Sequence, residues 1–274
     1  MHDARYPADL PRRSAERTRL RKQSFDHIPA LYDRYRPTYP APLFDALSRL
    51  ARLPPRGRVL EIGPGTGQAT LPLARRGYRI LGLELGPNTC RHCRGKLRDL
   101  PNVTILNTAF EEWKLEPHAF DLVLAAAAFH WIPARIAFPR CAAALKPTGS
   151  LALLWNFRET PDAPAFAELR EAYRHHIPQR ARLRAPQERI ERQRKKIVGS
   201  GRFGPVTVVT HPWRREYTAT EYIGLMRTMS DHAILAPEAR RRLFRSIRAI
   251  IARHGGKLIL PYVAVLFHAP LRRP

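Results

Sequence analysis

The chain has 274 residues and a mass of 31.4 kDa, with 44% hydrophobic and 26% charged residues, so it can bury a core without disulfide or metal staples. That balance excludes a fibre or a disordered polymer. No run of about 18 apolar residues marks a membrane span, and the N-terminal MHDARYPADLPRR lacks the apolar stretch of a secretory leader. These features predict a soluble, cytoplasmic protein. Cys90, Cys93 and Cys141 are too few for a disulfide framework and suit a reducing compartment. The formal charge of +25 and isoelectric point near 11.2 favour contact with phosphates or carboxylates. Only seven of the 48 cations are lysines, however, and the arginines run the whole length of the chain. An even arginine excess is also what biased genomic composition produces, so nucleic acid is a possible partner but not a favoured one.

Residues 1–24 are polar and arginine-rich with prolines at 7 and 11, which predicts a mobile basic tail. Residues 25–42 are rich in tyrosine and broken at Pro37 and Pro40, and read as an ordered arm leading into a helix over 43–53. Five nearly continuous apolar runs follow, at 58–62, 79–85, 103–107, 121–127 and 150–155. Runs without polar alternation are what a parallel strand covered on both faces requires. The stretches 69–76, 89–97 and 136–145 have the composition and length of crossover helices, giving an alternating α/β protein. The pattern changes after Trp155. A helix over 165–176, a cation-rich stretch over 179–196 and a glycine joint over 199–204 read as a helical insertion or lid spanning 158–204. Strands over 206–210 and 258–267, with helices over 221–229 and 238–254 between them, close the domain, and Gly255-Gly256 stops the last helix. Residues 25–274 thus form one domain, with the core at 43–157 and the closing elements at 205–274.

The strongest local signal is VLEIGPGTGQ at 59–68, a strand that ends in an acid and runs into a glycine-rich turn opening a helix. Gly63, Gly65 and Gly67 let a ligand approach the backbone where side chains would block it. A nicotinamide-type loop places its third glycine where this chain has Gln68, and no Gly-Lys-Ser/Thr follows for a phosphate loop. A glycine-rich turn without a ligand is the alternative. Glu84 lies 17 residues beyond Gly67, at the tip of the second strand. A carboxylate there accepts both ribose hydroxyls of a nucleoside lying across the sheet edge; an ordinary solvated acid is the alternative.

In combination, VLEIGPGTGQAT, LELG and FDLVLAAAAFHWI resemble the successive motifs of class I S-adenosylmethionine-dependent methyltransferases. YDRYRPTYP, the Ala109–Trp113 stretch and LLWNF at 153–157 resemble the small-molecule branch that includes the trans-aconitate methyltransferases. The resemblance implies a Rossmann-like, seven-stranded, mostly parallel sheet with helices on both faces and an antiparallel last strand. It implies S-adenosyl-L-methionine as cofactor, with its methionine end along Gly63, Gly65 and Gly67 near Glu61 and its ribose on Glu84. Ala109 and Phe110 would meet the adenine, although Asn107-Thr108-Ala109 lacks the aspartate many relatives carry there. Tyr32 and Arg36 match positions that fold over the amino-acid end, where a guanidinium pairs with a carboxylate; packing of the arm and surface charge are the alternative. His130 and Trp131 fall where the substrate pocket opens. His130 is the candidate catalytic residue, removing a proton from a hydroxyl or holding a carboxylate, with packing on Trp131 as the alternative. Trp131 is the candidate substrate-binding residue or a pocket wall.

Three features invite other readings. Cys90-Arg-His-Cys93 has CxxC spacing, but no second pair completes four zinc ligands, so no metal is expected. His175-His176 belongs to a polar helix, and the cations of 180–196 form a solvated helix face or a lid that draws in acidic substrates. The function expected is methyl transfer to a small, anionic acceptor, at oxygen before nitrogen or carbon. An RNA or protein methyltransferase is the alternative that the charge suggests, yet the chain lacks both the Asn/Asp-Pro-Pro-Tyr motif and the Pro-Cys pair of base-modifying enzymes. A non-catalytic binding module on the same fold is the second alternative.

Overall fold

The structure, a computed structural model, describes residues 25–177, 184–233 and 235–272. The tail expected over 1–24 and the start of the cation-rich stretch lie outside the described residues. In chain order the elements are α1 (Pro29–Tyr35), α2 (Ala41–Leu50), β1 (Arg58–Ile62), α3 (Thr70–Ala74), β2 (Arg79–Glu84), α4 (Pro87–Lys96), β3 (Val103–Asn107) and β4 (Phe120–Ala126). A 3-10 turn (Phe129–Trp131) precedes α5 (Ala134–Ala144), β5 (Leu145–Arg158), α6 (Pro164–His176) and α7 (Pro186–Gly199). Then come β6 (Thr207–Thr218), α8 (Ala219–Arg227), α9 (Ser230–Ala233), α10 (Pro237–Arg253) and β7 (Lys257–Pro270).

The seven strands form one sheet in the order β3-β2-β1-β4-β5-β7-β6. β1 to β5 pair in parallel, and β7 runs antiparallel to β5, from Ser150 opposite Pro270 to Arg158 opposite Tyr262. Side chains alternate across the sheet with period two. Leu151, Leu153, Trp155 and Phe157 of β5 enter the cluster built with Phe129, Phe138 and Phe267, while Ala152 and Leu154 enter the cluster built with α2 and α3. α2 forms because Leu43, Phe44, Ala46 and Leu47 share one face, and that face is buried. α8 starts at a capping box, in which Thr218 Oγ1 accepts from the Glu221 amide and the Glu221 carboxylate accepts from the Thr218 amide.

Two strands are longer than their apolar runs. β5 begins at Leu145 because Leu145 pairs with Phe120 ahead of a register shift, and Lys146 Nζ is held 2.7 Å from Asp121 Oδ1. β6 runs to Thr218 through Pro212, on the sheet's edge, where a missing amide costs no ladder bond.

The described residues divide into two compact units. Of the described residues, the sheet unit comprises 37–159, 184–213 and 262–272, and the helical unit comprises 25–36, 160–177, 214–233 and 235–261. The segment read as one insertion over 158–204 is therefore shared, α6 belonging to the helical unit and α7 to the sheet unit. Within the helical unit α10 packs on α6 and α8, burying Leu169, Tyr173, Met226, Leu243, Ile247 and Ile251. His232 is fully buried there, with Nδ1 2.8 Å from Asp231 Oδ1 and Nε2 2.9 Å from the Tyr173 hydroxyl.

Phe267 is fully buried on β7, edge-on to Trp155 with ring centres 5.6 Å apart. Phe267→Ala is expected to cost about 3–5 kcal/mol in urea unfolding. A loss below about 1 kcal/mol would mean that β7 is not part of the cooperative core.

Candidate active site

Strand order reverses between β1 and β4, and in open parallel sheets a ligand crevice forms at the carboxyl ends of the strands at such a point. The β1 tip leads there through three glycines, each with positive φ and each with a different task. Gly63 (φ 63°) donates from its amide to the Leu83 carbonyl at 2.9 Å, and a Cβ on it would come within 2.7 Å of Ala128 Cβ. Gly67 (φ 84°) lies against α4, where a Cβ would meet Leu97 Cδ1 at 3.3 Å. Gly65 (φ 59°) faces open space, its nearest neighbour being Gln68 Oε1 at 4.0 Å.

The β1 and β2 tips meet through the Gly65 amide, which donates to Glu84 Oε2 at 3.0 Å. Glu84 Oε1 accepts from the Gly86 amide, also at 3.0 Å. The Glu84 carbonyl accepts from the Thr108 amide at 3.0 Å, which ties in the start of the Ala109-Phe110 segment. Ala109 is half-buried, and its carbonyl accepts from the Trp113 amide at 2.9 Å. The Phe110 ring is buried in the core beneath the Arg140 guanidinium at 5.4 Å, so the segment offers a ligand its backbone before its ring.

Glu61, one residue before the end of β1, is fully buried, and neither carboxylate oxygen has a hydrogen-bond partner. Burial pushes its carboxyl up to about 7; the nearby Thr70 hydroxyl pulls it part of the way back without closing a standard hydrogen bond, and the Glu84 charge adds to the rise. An orphaned buried carboxylate beside an open glycine loop and a second carboxylate held by two amides suits a ligand that carries both a cation and a pair of hydroxyls. These residues therefore fit S-adenosylmethionine, by their donor set and by the room over Gly65.

The third tip is that of β4. Ala127 takes φ 55° and donates to the Leu154 carbonyl at 2.8 Å, turning the chain into the 3-10 turn. Phe129 is buried, His130 is exposed and Trp131 is half-buried, with the His130 and Trp131 ring centres 4.7 Å apart. Tyr32 and Arg36 belong to the helical unit. Arg36 stacks over the Tyr32 ring at 4.8 Å and donates from Nη2 to the Thr228 carbonyl at 2.7 Å, and its buried Nε has no partner. Glu61, Gly63, Gly65, Gly67, Glu84, Ala109, His130 and Trp131 all belong to the sheet unit and lie on or just beyond strand tips. Thr70, Gly86 and Ala128 complete this edge and carried no signal in the sequence beyond small size or a hydroxyl.

Cys90 and Cys93 are buried on α4 against Leu97 and Ile105, and burial pushes the Cys93 thiol well above its ordinary value. Such a thiol is inert. Among the described residues no cluster of His, Cys, Asp and Glu suits a metal ion, and no helix is long and apolar enough to cross a membrane.

Residues 60–153 match the methyltransferase domain family. An uncharacterised methyltransferase of Mycobacterium tuberculosis is 31% identical over 255 residues, covering 90% of this chain and 96% of the relative. The trans-aconitate 2-methyltransferase of Variovorax paradoxus is 33% identical over 140 residues, 50% of this chain and 52% of the relative. Among solved structures, a candidate type II methyltransferase from Anaeromyxobacter dehalogenans superimposes with a TM-score of 0.62 at 22% identity, covering 86% of this chain and 98% of the other.

Folding raises the Glu61 carboxyl from 4.5 to about 7. Between those values the native state holds a proton that the unfolded chain has lost, so this group's contribution to stability falls as pH rises. Without ligand, Glu61→Gln is expected to gain about 2–3 kcal/mol relative to wild type between pH 5 and pH 8 in paired urea melts. A difference that does not move with pH would show that the carboxyl is solvated.

Proposed function

The chain belongs to the class I S-adenosylmethionine-dependent methyltransferases, and from that premise we propose that it methylates an oxygen of a small, anionic molecule by in-line transfer. The observation that carries this reading is the β4 tip. Four alanines, Ala125 to Ala128, lead to an exposed His130 beside Trp131, where a base-modifying enzyme would present Asn/Asp-Pro-Pro-Tyr or Pro-Cys. Such a tip lacks the side chains that hold a base's amino group or attack its ring; it offers one titratable ring and one apolar wall. The half-length likeness to a trans-aconitate 2-methyltransferase and the net charge of +25 support an anionic acceptor. Three free, buried cysteines support a reducing, cytoplasmic setting.

In this proposal Glu61 and the loop of Gly63, Gly65 and Gly67 hold the methionine end of the cofactor. Glu84 accepts from the ribose hydroxyls, and the backbone of Ala109 and Phe110 meets the adenine. Tyr32 and Arg36 enter through the resemblance of their segment alone. The bound cofactor supplies a methyl group already activated on a sulfonium. The chain's part is to hold the acceptor oxygen about 3–3.5 Å away and in line, which carries most of the rate without covalent help. A neutral His130 ring nitrogen takes the proton of a hydroxyl acceptor; a carboxylate acceptor needs no base, and the same ring orients it by a hydrogen bond. Trp131 walls the acceptor side.

A small-molecule library screened for S-adenosylhomocysteine release, with an RNA arm, tests the reading: turnover with small acids supports it and turnover with RNA alone overturns it. Gly65→Arg fills the space over the loop and is expected to abolish calorimetric binding of S-adenosylhomocysteine while the circular dichroism of the fold is kept; retained affinity would move the cofactor elsewhere. His130→Ala is expected to lower kcat by about 100-fold with cofactor affinity unchanged. An unaltered kcat would reduce His130 to packing.

A further inference from the structure

The carboxyl end of β5 carries a charge arrangement that the reading above does not use. Phe157 is buried in the cluster that also holds Phe129. Arg189, in the first turn of α7, lies half-buried with its guanidinium carbon 3.9 Å from the centre of the Phe157 ring. A guanidinium over an aromatic face is drawn to the ring's quadrupole and loses water on that side. Burial, together with repulsion from Arg158 one residue beyond Phe157, brings its pKa down to about 10, so it stays charged at neutral pH. The acids of α7 are engaged with other cations: Glu188 lies 3.9 Å from Arg184, and Glu191 lies 2.9 Å from Arg194 and 3.9 Å from Lys195. Among the described residues Arg189 makes no ion pair. A partly dehydrated cation beside a second cation is a standing demand for an anion.

Register sets where that demand is felt. Ala126 and Leu154 are the last paired residues of β4 and β5. β5 runs on to Arg158 while β4 turns at Ala127, and Phe129 and Phe157, each three residues past that last pair, belong to one buried cluster, so the Phe157 platform lies on the same edge as the turn that carries His130 and Trp131. Ile132, next to that turn, and Ile190, next to Arg189, pack against the same cluster.

We propose that Arg189, stacked on Phe157 and reinforced by Arg158, is the specificity-determining residue that binds a second carboxylate of the acceptor and so positions the oxygen to be methylated. The planar fork of a guanidinium matches a carboxylate in a bidentate pair, whereas a lysine at this place would give only a point charge. The assignment rests on the reading of the chain as an enzyme for small anionic acceptors.

The test is calorimetric titration of the full chain, saturated with S-adenosylhomocysteine, with succinate, propane-1,2,3-tricarboxylate and inorganic phosphate. Wild type is expected to bind at least one of the two carboxylates, and Arg189→Gln to weaken that binding by about 30-fold with S-adenosylhomocysteine affinity kept within about twofold. Arg189→Lys keeps a cation on the ring and is expected to fall between, at about fivefold weaker. It decides the matter if the glutamine variant does not fold. Equal carboxylate affinity in the variants and wild type overturns the subsite, and if wild type still methylates small acids the wider reading survives. Wild type that binds neither carboxylate while it methylates a neutral acceptor or RNA overturns both, and phosphate binding tighter than either carboxylate overturns the assignment to a carboxylate.

Discussion

The Gly65 amide reaches across to the Glu84 carboxylate, and this contact sets what the sheet edge can do. The β1–β2 pairing ends with Ile62 opposite Leu83, so the chain leaving β1 must fold back over the β2 tip within a few residues. Three glycines at positive φ make that path free of Cβ strain, and the last of them seats the loop against α4. The same fold-back aims the Gly65 amide at Glu84 and leaves the outer side of the loop bare. The Glu61 carboxylate does not sit where stability alone would put it. Glu61 is buried without a partner, and Glu84 adds its repulsion. Unsatisfied groups of this kind concentrate at functional edges, where a ligand supplies the missing partner.

The rest of the sheet keeps that edge narrow and open together. Small residues at the β4 tip are a geometric need as much as a binding feature. With a Cβ on Gly63 falling 2.7 Å from that of Ala128, the two tips already approach as closely as the backbone permits. Gly82, within β2, allows a similar approach inside the core, since a Cβ there would fall 2.6 Å from Ile105 Cδ1 and 3.1 Å from Pro64 Cγ. Pro64 of the binding loop is thus braced from beneath by the strand whose tip carries Glu84.

How much of this was legible in the sequence follows from how local each cause is. β1 to β4 were readable because parallel strands covered on both faces are continuous apolar runs. The glycine loop and Glu84 were readable because their spacing follows from one βαβ unit. The start of β5 was hidden by Lys146-Pro147-Thr148-Gly149, which reads as a turn until Leu145 is seen beside Phe120. The far half of β6 was hidden by Pro212 and by the alternating exposure of an edge strand. The helical unit was not legible as a unit at all, because its core joins three separated stretches, with Tyr173 meeting His232 across 59 residues. Phe110 shows the limit for a single side chain: its position past β3 was readable, but that its ring turns into the core beneath Arg140 was not. Arg189 on Phe157 belongs to the same class, a contact between two elements 32 residues apart with no motif to announce it.

Strand order converts these local features into a charge gradient along one edge. Reading outward from β2, the tips carry Glu84, then Glu61 and the glycine loop, then the alanines and His130, and then Phe157 with Arg158 and Arg189. In the proposed function the negative groups gather where the sulfonium-bearing cofactor would be held, and the positive ones where an anionic acceptor would be held. The tip between them carries a histidine, His130. From β2 to β5 is three strand spacings, about 14 Å, longer than the roughly 8–10 Å over which salt screens exposed charges. The two ends therefore act on their ligands with little mutual cancellation, and in the proposal the methyl group passes between them at the β4 tip, from a cation to an oxygen belonging to an anion. In the proposed transfer charge is neutralised as that bond forms, so the charges at the two ends act in binding the two ligands, while the apolar alanines of the β4 tip favour the less charged transition state over the charged reactants.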